Sequence, residues 1–395
     1  TDGCIGSMEG LFFEASGTTP YHFLTTAAMS KQSSNPVREL RYVDNDASIG
    51  VRHLQDLGVR YAMVRSDEAK AEAAAQPELT LVAQSPPWDI YEVAGSDVVV
   101  ALDVQPVVVR DRLGDGRGAT DPRERHLETG ASWFQHPEDW AAMPADGGPD
   151  SWQRIDVEPD LSRRLVEGQG GPRVDIVVPA QPIEPVVLPE VTVSNLTIEQ
   201  QSLSFDVDQV GVPVLVKVSY FPNWEANGAE GPWRIGPNMM VVVPTDTHVE
   251  LTYGRRAIDY VSLILTAMAL LIHYYHPLRP HLLYTRTALA QGDFWRLISC
   301  HWVHLNTDHL LWSAMTFFIL GSFCEIMDRA KYMMTVGISA LFIPMAIWLF
   351  RPHLKVFGGL SGLDCALYSL LIVLFIKREW QIQKWRWIIF YTVML

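Results

Sequence analysis

Hydrophobic positions follow two different patterns along this chain, and the pattern changes near residue 255. From residue 174 onward, short apolar runs such as VDIVV, LSFDV and VPVLVKVSYF are separated by turn residues, which predicts an antiparallel β-sandwich over residues 174–254. Helical spacing at residues 49–57, followed by strand-like runs, predicts a small α/β region over residues 1–110. Residues 111–173 are rich in Gly, Pro and charge, which predicts a loop-rich connector.

Beyond residue 255 the apolar runs are long enough for membrane spans. They cover residues 257–272, 310–323, 332–350 and 356–376, and a fifth begins at about Trp387. A span needs about 20 apolar residues, and Trp and Tyr cluster at the ends of these runs, as they do at bilayer interfaces. We therefore expect residues 255–395 to be an all-α, polytopic transmembrane domain with four spans and the start of a fifth. The predicted fold class is mixed, with soluble α/β and β regions before this helical bundle.

Charge divides at the same place. The formal net charge is −14, but residues 1–255 carry 19 Lys/Arg against 38 Asp/Glu, whereas residues 256–395 carry 12 against 7. This split excludes a single soluble globule and a disordered chain. The acidic half has no basic stripe, so nucleic acid is not an expected partner, whereas the lipid bilayer is. The four cysteines match neither a disulfide framework nor a CxxC metal site.

The segment FGGLSG holds the first candidate for chemistry, Ser361. Gly358 and Gly359 precede it and Gly362 follows, and glycine permits close backbone approach and unusual dihedral angles. An apolar helix begins there, and the free N–H groups of a helix N-terminus could stabilise an oxyanion formed at the serine. The structural alternative is that these small residues only let two transmembrane helices touch.

Three histidines favour chemistry over simple packing. His301, His304 and His309 lie at the mouth of an apolar helix, where ionisable side chains are costly and usually functional. A zinc site is one interpretation, but HExxH is absent, and we expect neither a metal nor an organic cofactor. Considered together with Ser361, an oxyanion role for one histidine is the better interpretation.

With these motifs combined, residues of about 283–395 resemble a rhomboid intramembrane serine protease. The segment RTALAQGDFWRLISCHWVHLNTDHLL is most similar to the rhombosortase subgroup. Any one motif alone would be weak, and the combination carries the resemblance. The residues that match the family pattern are Trp295, Arg296, His304, His309, Gly321, Glu325, Gly359, Ser361 and Gly362.

The resemblance implies a role for each matched residue. Ser361 would be the nucleophile, and its backbone N–H together with His309 would hold the oxyanion. Ser313 stands where the family usually has Asn, and its shorter side chain can still donate one hydrogen bond. Structural roles are implied for the remaining residues: Trp295, Arg296 and His304 in and after the first loop, Gly359 and Gly362 around the serine, and Gly321 and Glu325 tying helices together.

The implied activity is peptide-bond hydrolysis in transmembrane protein substrates, by an integral protein of the bacterial inner membrane. Rhombosortase-like substrates would carry C-terminal sorting helices. The family activates its serine with a histidine on the sixth helix, and no histidine follows His353 here. Because an unactivated serine is a poor nucleophile, we expect residues 1–395 alone to be inactive.

Residues of about 1–260 resemble a different family. The segments LGVRYAMVRS, SPPWDIYEV and SYFPNWEANGAEGPWRIGPNMM are similar to the extracytoplasmic part of actinobacterial glycosyltransferase-C-like membrane proteins. This resemblance places residues 1–254 outside the cell, whereas a rhomboid core places them inside. We therefore hypothesise a composite chain, joined within residues 257–276, which sequencing of the locus would test. The alternative function is a non-enzymatic envelope binding or assembly module, or an accessory domain of such a transferase.

Overall fold

A computed structural model describes residues 17–30, 37, 40–42, 45–113, 122–163, 174–255, 257–304 and 306–381. The chain divides into two compact units, residues 1–254 and residues 255–395. The first unit contains the helices α1 Thr19–Met29, α2 Ala47–Asp56, α3 Asp67–Ala74 and α4 Pro122–Gln135. Its strands are β1 Tyr61–Val64, β2 Leu79–Ser85, β3 Trp88–Val93, β4 Val99–Ala101, β5 Val107–Arg112, β6 Pro144–Ala145, β7 Arg154–Pro159, β8 Val177–Pro179, β9 Val193–Ile198, β10 Ser202–Val207, β11 Val214–Val216, β12 Trp224–Asn227, β13 Ala229–Ile235, β14 Met239–Pro244 and β15 His248–Tyr253.

A small three-stranded sheet forms near the start of the first unit. Its order is β1-β3-β2, and both pairs are antiparallel. Helices α2 and α3 pack on this sheet through Val51 and Ala73, which share a buried cluster with Tyr91 and Val93. Helix α2 begins there because the Asp46 side chain accepts the backbone N–H groups of residues 48 and 49.

Two larger sheets make up the rest of the unit. One has four strands in the order β12-β15-β10-β9, and the other has eight in the order β4-β11-β14-β13-β6-β5-β7-β8. Side chains from both sheets, including Phe205 and Leu251 from one and Val214 and Val242 from the other, share one buried cluster. The eight-stranded sheet is mixed, because β5 pairs parallel with β6 and with β7.

This mixed sheet differs from the expected organisation in two ways. The run at residues 98–102, expected within the small α/β region, forms β4 and pairs with β11. The expected connector contains α4 and the strands β6 and β7 over the described residues 122–163. This stretch contributes buried residues to the main core: Trp140, Trp152, Ile155 and Val157. It is therefore part of the folded unit and not only a connector between two regions.

The second unit contains two short strands and a series of helices. A two-stranded antiparallel sheet pairs Tyr284 with Phe357. The first loop of this unit, which connects the helices Ala257–Tyr274 and Thr307–Phe350, is thereby joined to the strand immediately before Gly358. The elements in chain order are α5 Ala257–Tyr274, α6 Arg279–Leu282, β16 Tyr284–Thr285, α7 Arg286–Ala290, α8 Arg296–Ser299, α9 Thr307–Phe350, β17 Val356–Phe357 and α10 Ser361–Gln381.

Within the described residues, one helical stretch is long and apolar enough to cross a membrane. It is Met327–Phe350, with a mean hydropathy of 2.0 over its most apolar window, and Ser361–Ile376 is apolar but shorter. The remaining expected spans stay predictions, and the run from Trp387 lies outside the described residues.

Helix α9 is interrupted at Asp328, whose backbone dihedral angles of −163° and 91° are not helical. The Asp328 side chain accepts the backbone N–H of Lys331 at 2.9 Å, as an N-cap does for a new helix. A Cβ placed on Gly321 would lie 3.4 Å from the Tyr332 ring. Eleven residues of straight helix would span about 16 Å, so the chain must turn sharply at Asp328. The sequence predicted two separate apolar runs at residues 310–323 and 332–350, and the break at Asp328 lies between them.

Candidate active site

The first loop of the second unit is organised around the buried guanidinium of Arg296. Only 7% of this residue is exposed. Its Nη1 donates to the carbonyls of Pro280 at 2.6 Å and Leu283 at 2.8 Å, and its Nε donates to the Asp293 carboxylate at 2.9 Å. A buried charge is tolerated when its donors are paired, and here the pairing fixes the path of the loop. Neighbouring Trp295 is 55% exposed and donates to the His281 carbonyl at 3.2 Å.

The glycine pair before Ser361 packs directly against this loop. The Gly359 N–H donates to the Cys300 carbonyl at 3.0 Å. A Cβ on Gly358 would lie 2.7 Å from Leu283 Cδ1 and 2.8 Å from the Val303 carbonyl oxygen. Only a residue without a side chain lets the two segments approach this closely.

Gly359 also lies against the two histidines of the family pattern. Its φ angle is +103°, and a Cβ there would lie 2.7 Å from Cε1 and 3.2 Å from Nε2 of His309. The His304 and His309 rings meet edge to face with centroids 5.3 Å apart. The Leu360 N–H points towards His304 Nε2 at 3.4 Å. The structure therefore brings His304, His309 and the GLSG loop together.

The start of α9 positions His309 and Ser313. Asn306 caps the helix, and its Oδ1 accepts the backbone N–H of His309 at 2.7 Å. Ser313 follows His309 by four residues, so the two lie on the same helix face. Ser313 is 6% exposed, and the Asn306 cap is a feature that the sequence analysis missed, although Asn before a helix is a known start signal.

Ser361 is the first residue of α10 and is exposed. Backbone N–H groups in the first turn of a helix have no partner within the helix. Gly362, directly after it, would bring a Cβ within 3.2 Å of Ile343 Cγ2. The glycines therefore hold α10 close to its neighbours, while the serine itself stays accessible.

Gly321 and Glu325 lie on α9 beyond this cluster. Gly321 packs on Tyr332 across the Asp328 break, so it brings the two parts of α9 together. The ion pair described for Glu325 is with Arg329, 3.6 Å away within the same helix. An isolated exposed pair of this kind stabilises a protein by less than about 1 kcal/mol.

Two buried polar residues near Ser361 are not among the residues that match the family pattern. His301 is 3% exposed and contacts two backbone carbonyls. Asp364, one turn into α10, is 9% exposed, and its Oδ1 has no hydrogen-bond partner among the described residues. An ionisable residue in an apolar helix usually indicates a functional site. Asp364 lies in the apolar run at residues 356–376, so the sequence alone could have identified it as a candidate. Among the described residues, no group of three or more His, Cys, Asp or Glu side chains could hold a metal ion.

Comparison with known protein families identifies one match in the second unit. Residues 291–395, about a quarter of the chain, match the family model described as Rhomboid domain. This match supports a rhomboid-family protein, and therefore an integral membrane protein. No curated protein matches the chain, and no solved structure matches it.

Proposed function

We propose that this rhomboid-family chain carries the nucleophile and the oxyanion site of an intramembrane serine endopeptidase. The observation that carries the proposal is the contact between the His309 ring and Gly359, two residues before Ser361. The His309 ring, which can donate a hydrogen bond, and the exposed hydroxyl of Ser361 thus both lie at the N-terminus of α10. This is the arrangement that acyl transfer needs, with a nucleophile beside groups that can stabilise negative charge.

In the proposed reaction, Ser361 Oγ attacks the carbonyl carbon of the scissile peptide bond and its proton passes to a base. The carbonyl oxygen becomes an oxyanion held by the Ser361 backbone N–H and by a ring N–H of His309. Collapse of this intermediate breaks the C–N bond, the amine leaves with a proton, and water then hydrolyses the acyl-enzyme. Loss of one oxyanion donor usually lowers the catalytic rate by about 10²–10³. The proposal therefore assigns a rate contribution of this size to His309.

Ser313 is proposed as a second side chain that supports this site. It is buried one helical turn beyond His309, and its hydroxyl can donate one hydrogen bond. The substrates we propose are transmembrane proteins, and the rhombosortase-like residues of the first loop favour substrates with a C-terminal sorting helix in a bacterial inner membrane.

Cleavage of a transmembrane reporter tests the proposal. The protein is expressed from its complete natural gene for this test. Ser361→Ala should abolish cleavage. Ser369→Ala is a matched control on the same helix, because Ser369 is exposed and its Oγ donates to the Cys365 carbonyl of its own helix at 2.8 Å. It should leave cleavage unchanged. Equal cleavage by both variants would contradict the proposal.

A second candidate function concerns the first unit alone. Tyr61 and Met63 are 50% and 57% exposed on the small sheet, and the Arg60 guanidinium lies 5.2 Å from the Tyr61 ring centroid. Exposed aromatic and apolar side chains next to a charge favour an envelope binding module or a transferase accessory domain. Binding to a glycan array that is lost in Tyr61→Ala, with the Ser361→Ala variant still binding, would support this candidate.

A further inference from the structure

Pro344 leaves a carbonyl group without its usual donor inside the spanning segment Met327–Phe350. In an α-helix the N–H of residue 344 donates to the carbonyl of residue 340, but proline has no N–H. The structure places Pro344 inside α9, so the Ala340 carbonyl lacks the N–H that would normally donate to it. In a bilayer, water cannot replace the missing donor, and such a group costs several kcal/mol unless protein satisfies it.

His301 supplies the missing donor from outside the helix. It belongs to the short 3-10 helix Cys300–Trp302, in the loop before α9. Its Nε2 lies 2.9 Å from the Ala340 carbonyl oxygen, and the residue is 3% exposed. A neutral imidazole with its proton on Nε2 donates this bond at ordinary length.

The other side of the same ring contacts the loop that carries Ser361. His301 Nδ1 lies 3.4 Å from the Gly359 carbonyl oxygen. The ring also meets the Phe357 ring nearly perpendicularly, with centroids 6.1 Å apart. With the proton of the neutral ring on Nε2, Nδ1 is an acceptor and makes no hydrogen bond to the Gly359 carbonyl. The ring therefore donates to the Ala340 carbonyl and meets the Ser361 loop by packing against Gly359 and Phe357.

We propose that His301 is a positioning residue, which fixes the Gly358–Gly359 loop, and with it Ser361, to the carbonyl that Pro344 exposes. The role assigned to Ser361 rests on the proposed function, whereas the link between His301 and Pro344 does not. His301 would touch neither substrate nor reacting atoms. Its effect passes through the backbone of Gly359, two residues before the nucleophile.

A double-mutant cycle tests the link without any measurement of activity. With Cys4 and Cys365 replaced by alanine, the remaining thiols are Cys300 and Cys324, which are both buried. A thiol-reactive fluorophore then reports thermal unfolding of the second unit in the full chain in detergent. His301→Phe should lower the midpoint by about 3 °C or more, because the Ala340 carbonyl loses its donor.

The same change should cost much less in a Pro344→Ala background. Alanine at 344 restores the helical N–H, so the Ala340 carbonyl is satisfied without His301. Equal losses in the two backgrounds would overturn the link, since unconnected sites give additive effects. His353→Phe, at an exposed loop position, is the control and should leave the midpoint unchanged in both backgrounds.

Conservative variants separate the two sides of the ring. Gln at position 301 can place an amide N–H near the position of Nε2, whereas the shorter Asn reaches only the position of Nδ1. His301→Gln should therefore recover most of the lost midpoint and His301→Asn should not. The opposite order would show that the Gly359 side carries the effect and would overturn the assignment to Ala340.

Cleavage kinetics of the protein expressed from its complete natural gene test the positioning role. His301→Phe should lower kcat at least about tenfold with little change in KM, because the loop is misplaced and substrate binding is not. His301→Gln should restore kcat. If Ser361→Ala still cleaves, the proposed function fails while the thermal cycle stays valid. If Ser361→Ala is inactive and His301→Phe keeps full kcat, the positioning role alone is overturned.

Discussion

Gly359 and His309 are in such close contact that no side chain fits between them. A Cβ on Gly359 would lie 2.7 Å from His309 Cε1, although 50 residues separate the two in sequence. The positive φ of +103° adds a second restriction, because L-residues rarely adopt it. The contact fixes the ring of the proposed oxyanion donor relative to Ser361.

The first prediction is that Gly359→Ala abolishes cleavage. The added methyl must displace either the His309 ring or the loop backbone, and a 1 Å shift in such a site can cost about 10² in rate. Reporter cleavage measures the effect. Gly337→Ala is the control, because nothing lies within 4 Å of a Cβ at that position. Activity retained in Gly359→Ala would show that this packing is unimportant.

The second prediction concerns the first loop. Arg296→Lys should destabilise the second unit by about 3 kcal/mol, because one ammonium cannot serve the Pro280 and Leu283 carbonyls and Asp293 together, and a buried acceptor left unpaired costs about 1–3 kcal/mol. The loss of stability is measured as a lower thermal unfolding midpoint, followed by fluorophore labelling of buried Cys300 and Cys324. Arg329→Lys, at an exposed ion pair with Glu325, should change the midpoint little. Equal effects of the two variants would contradict this account of the loop.

The third prediction is a pH dependence in the first unit. Burial lowers the pKa of His53 to about 3, helped by the nearby Arg52 charge, while its ring stacks on Phe134 and its Nε2 contacts the Phe134 carbonyl at 3.0 Å. An unfolded histidine titrates near 6.5, so below that pH the unfolded chain binds the extra proton. The stability that neutral His53 contributes is therefore present above pH 6.5 and is lost progressively towards pH 3.

This pH dependence is measured by comparison with His53→Gln, which does not titrate. Between pH 7 and pH 5 the wild-type chain should lose about 2 kcal/mol relative to the variant. Hydrogen exchange of amides in β7, whose Ile155 and Val157 are buried in the main core, provides the readout. The comparison cancels the opposite contribution of Asp56, whose pKa burial raises to about 6. A stability difference that is constant with pH would contradict the prediction.

The fourth prediction concerns the break in α9. Asp328→Ala removes the cap on the N–H of Lys331 and should cost about 1 kcal/mol. Asp328→Asn can still accept that hydrogen bond and should recover most of the loss. Thiol exposure of Cys324, near the break, would report both variants, and an Asn variant as unstable as the Ala variant would rule out a capping role.

Much of the local structure could be predicted from sequence, because it follows from periodicity. The strand-rich stretch after residue 174, the helix at Ala47–Asp56 and the break between two apolar runs at Asp328 all have local signals. The glycines around Ser361 were likewise recognisable as sites of close backbone approach. The family match to residues 291–395 agrees with the resemblance drawn from these motifs at the level of the family.

Long-range pairing could not be predicted in this way. Strand β5 reads VVVRDR, and its Arg112 is buried by ion pairs with Glu128 at 3.0 Å and Asp175 at 2.9 Å. The charged residues at the end of this strand hide it from a hydrophobic pattern. Residues 111–173 were expected to be a connector because they are rich in Gly, Pro and charge. The partner of the Ala340 carbonyl could not be predicted either, because His301 is 39 residues away in sequence and only folding brings the two together.

The most direct measurement of the central claim is the site of covalent labelling by a serine-reactive fluorophosphonate. The protein expressed from its complete natural gene is labelled in membranes, digested and analysed by mass spectrometry. The account predicts one adduct on the peptide that contains Ser361, absent from Ser361→Ala, retained in Ser369→Ala and reduced about 10²-fold or more in rate in His309→Ala. No adduct on Ser361, or one formed as quickly in His309→Ala, would contradict it.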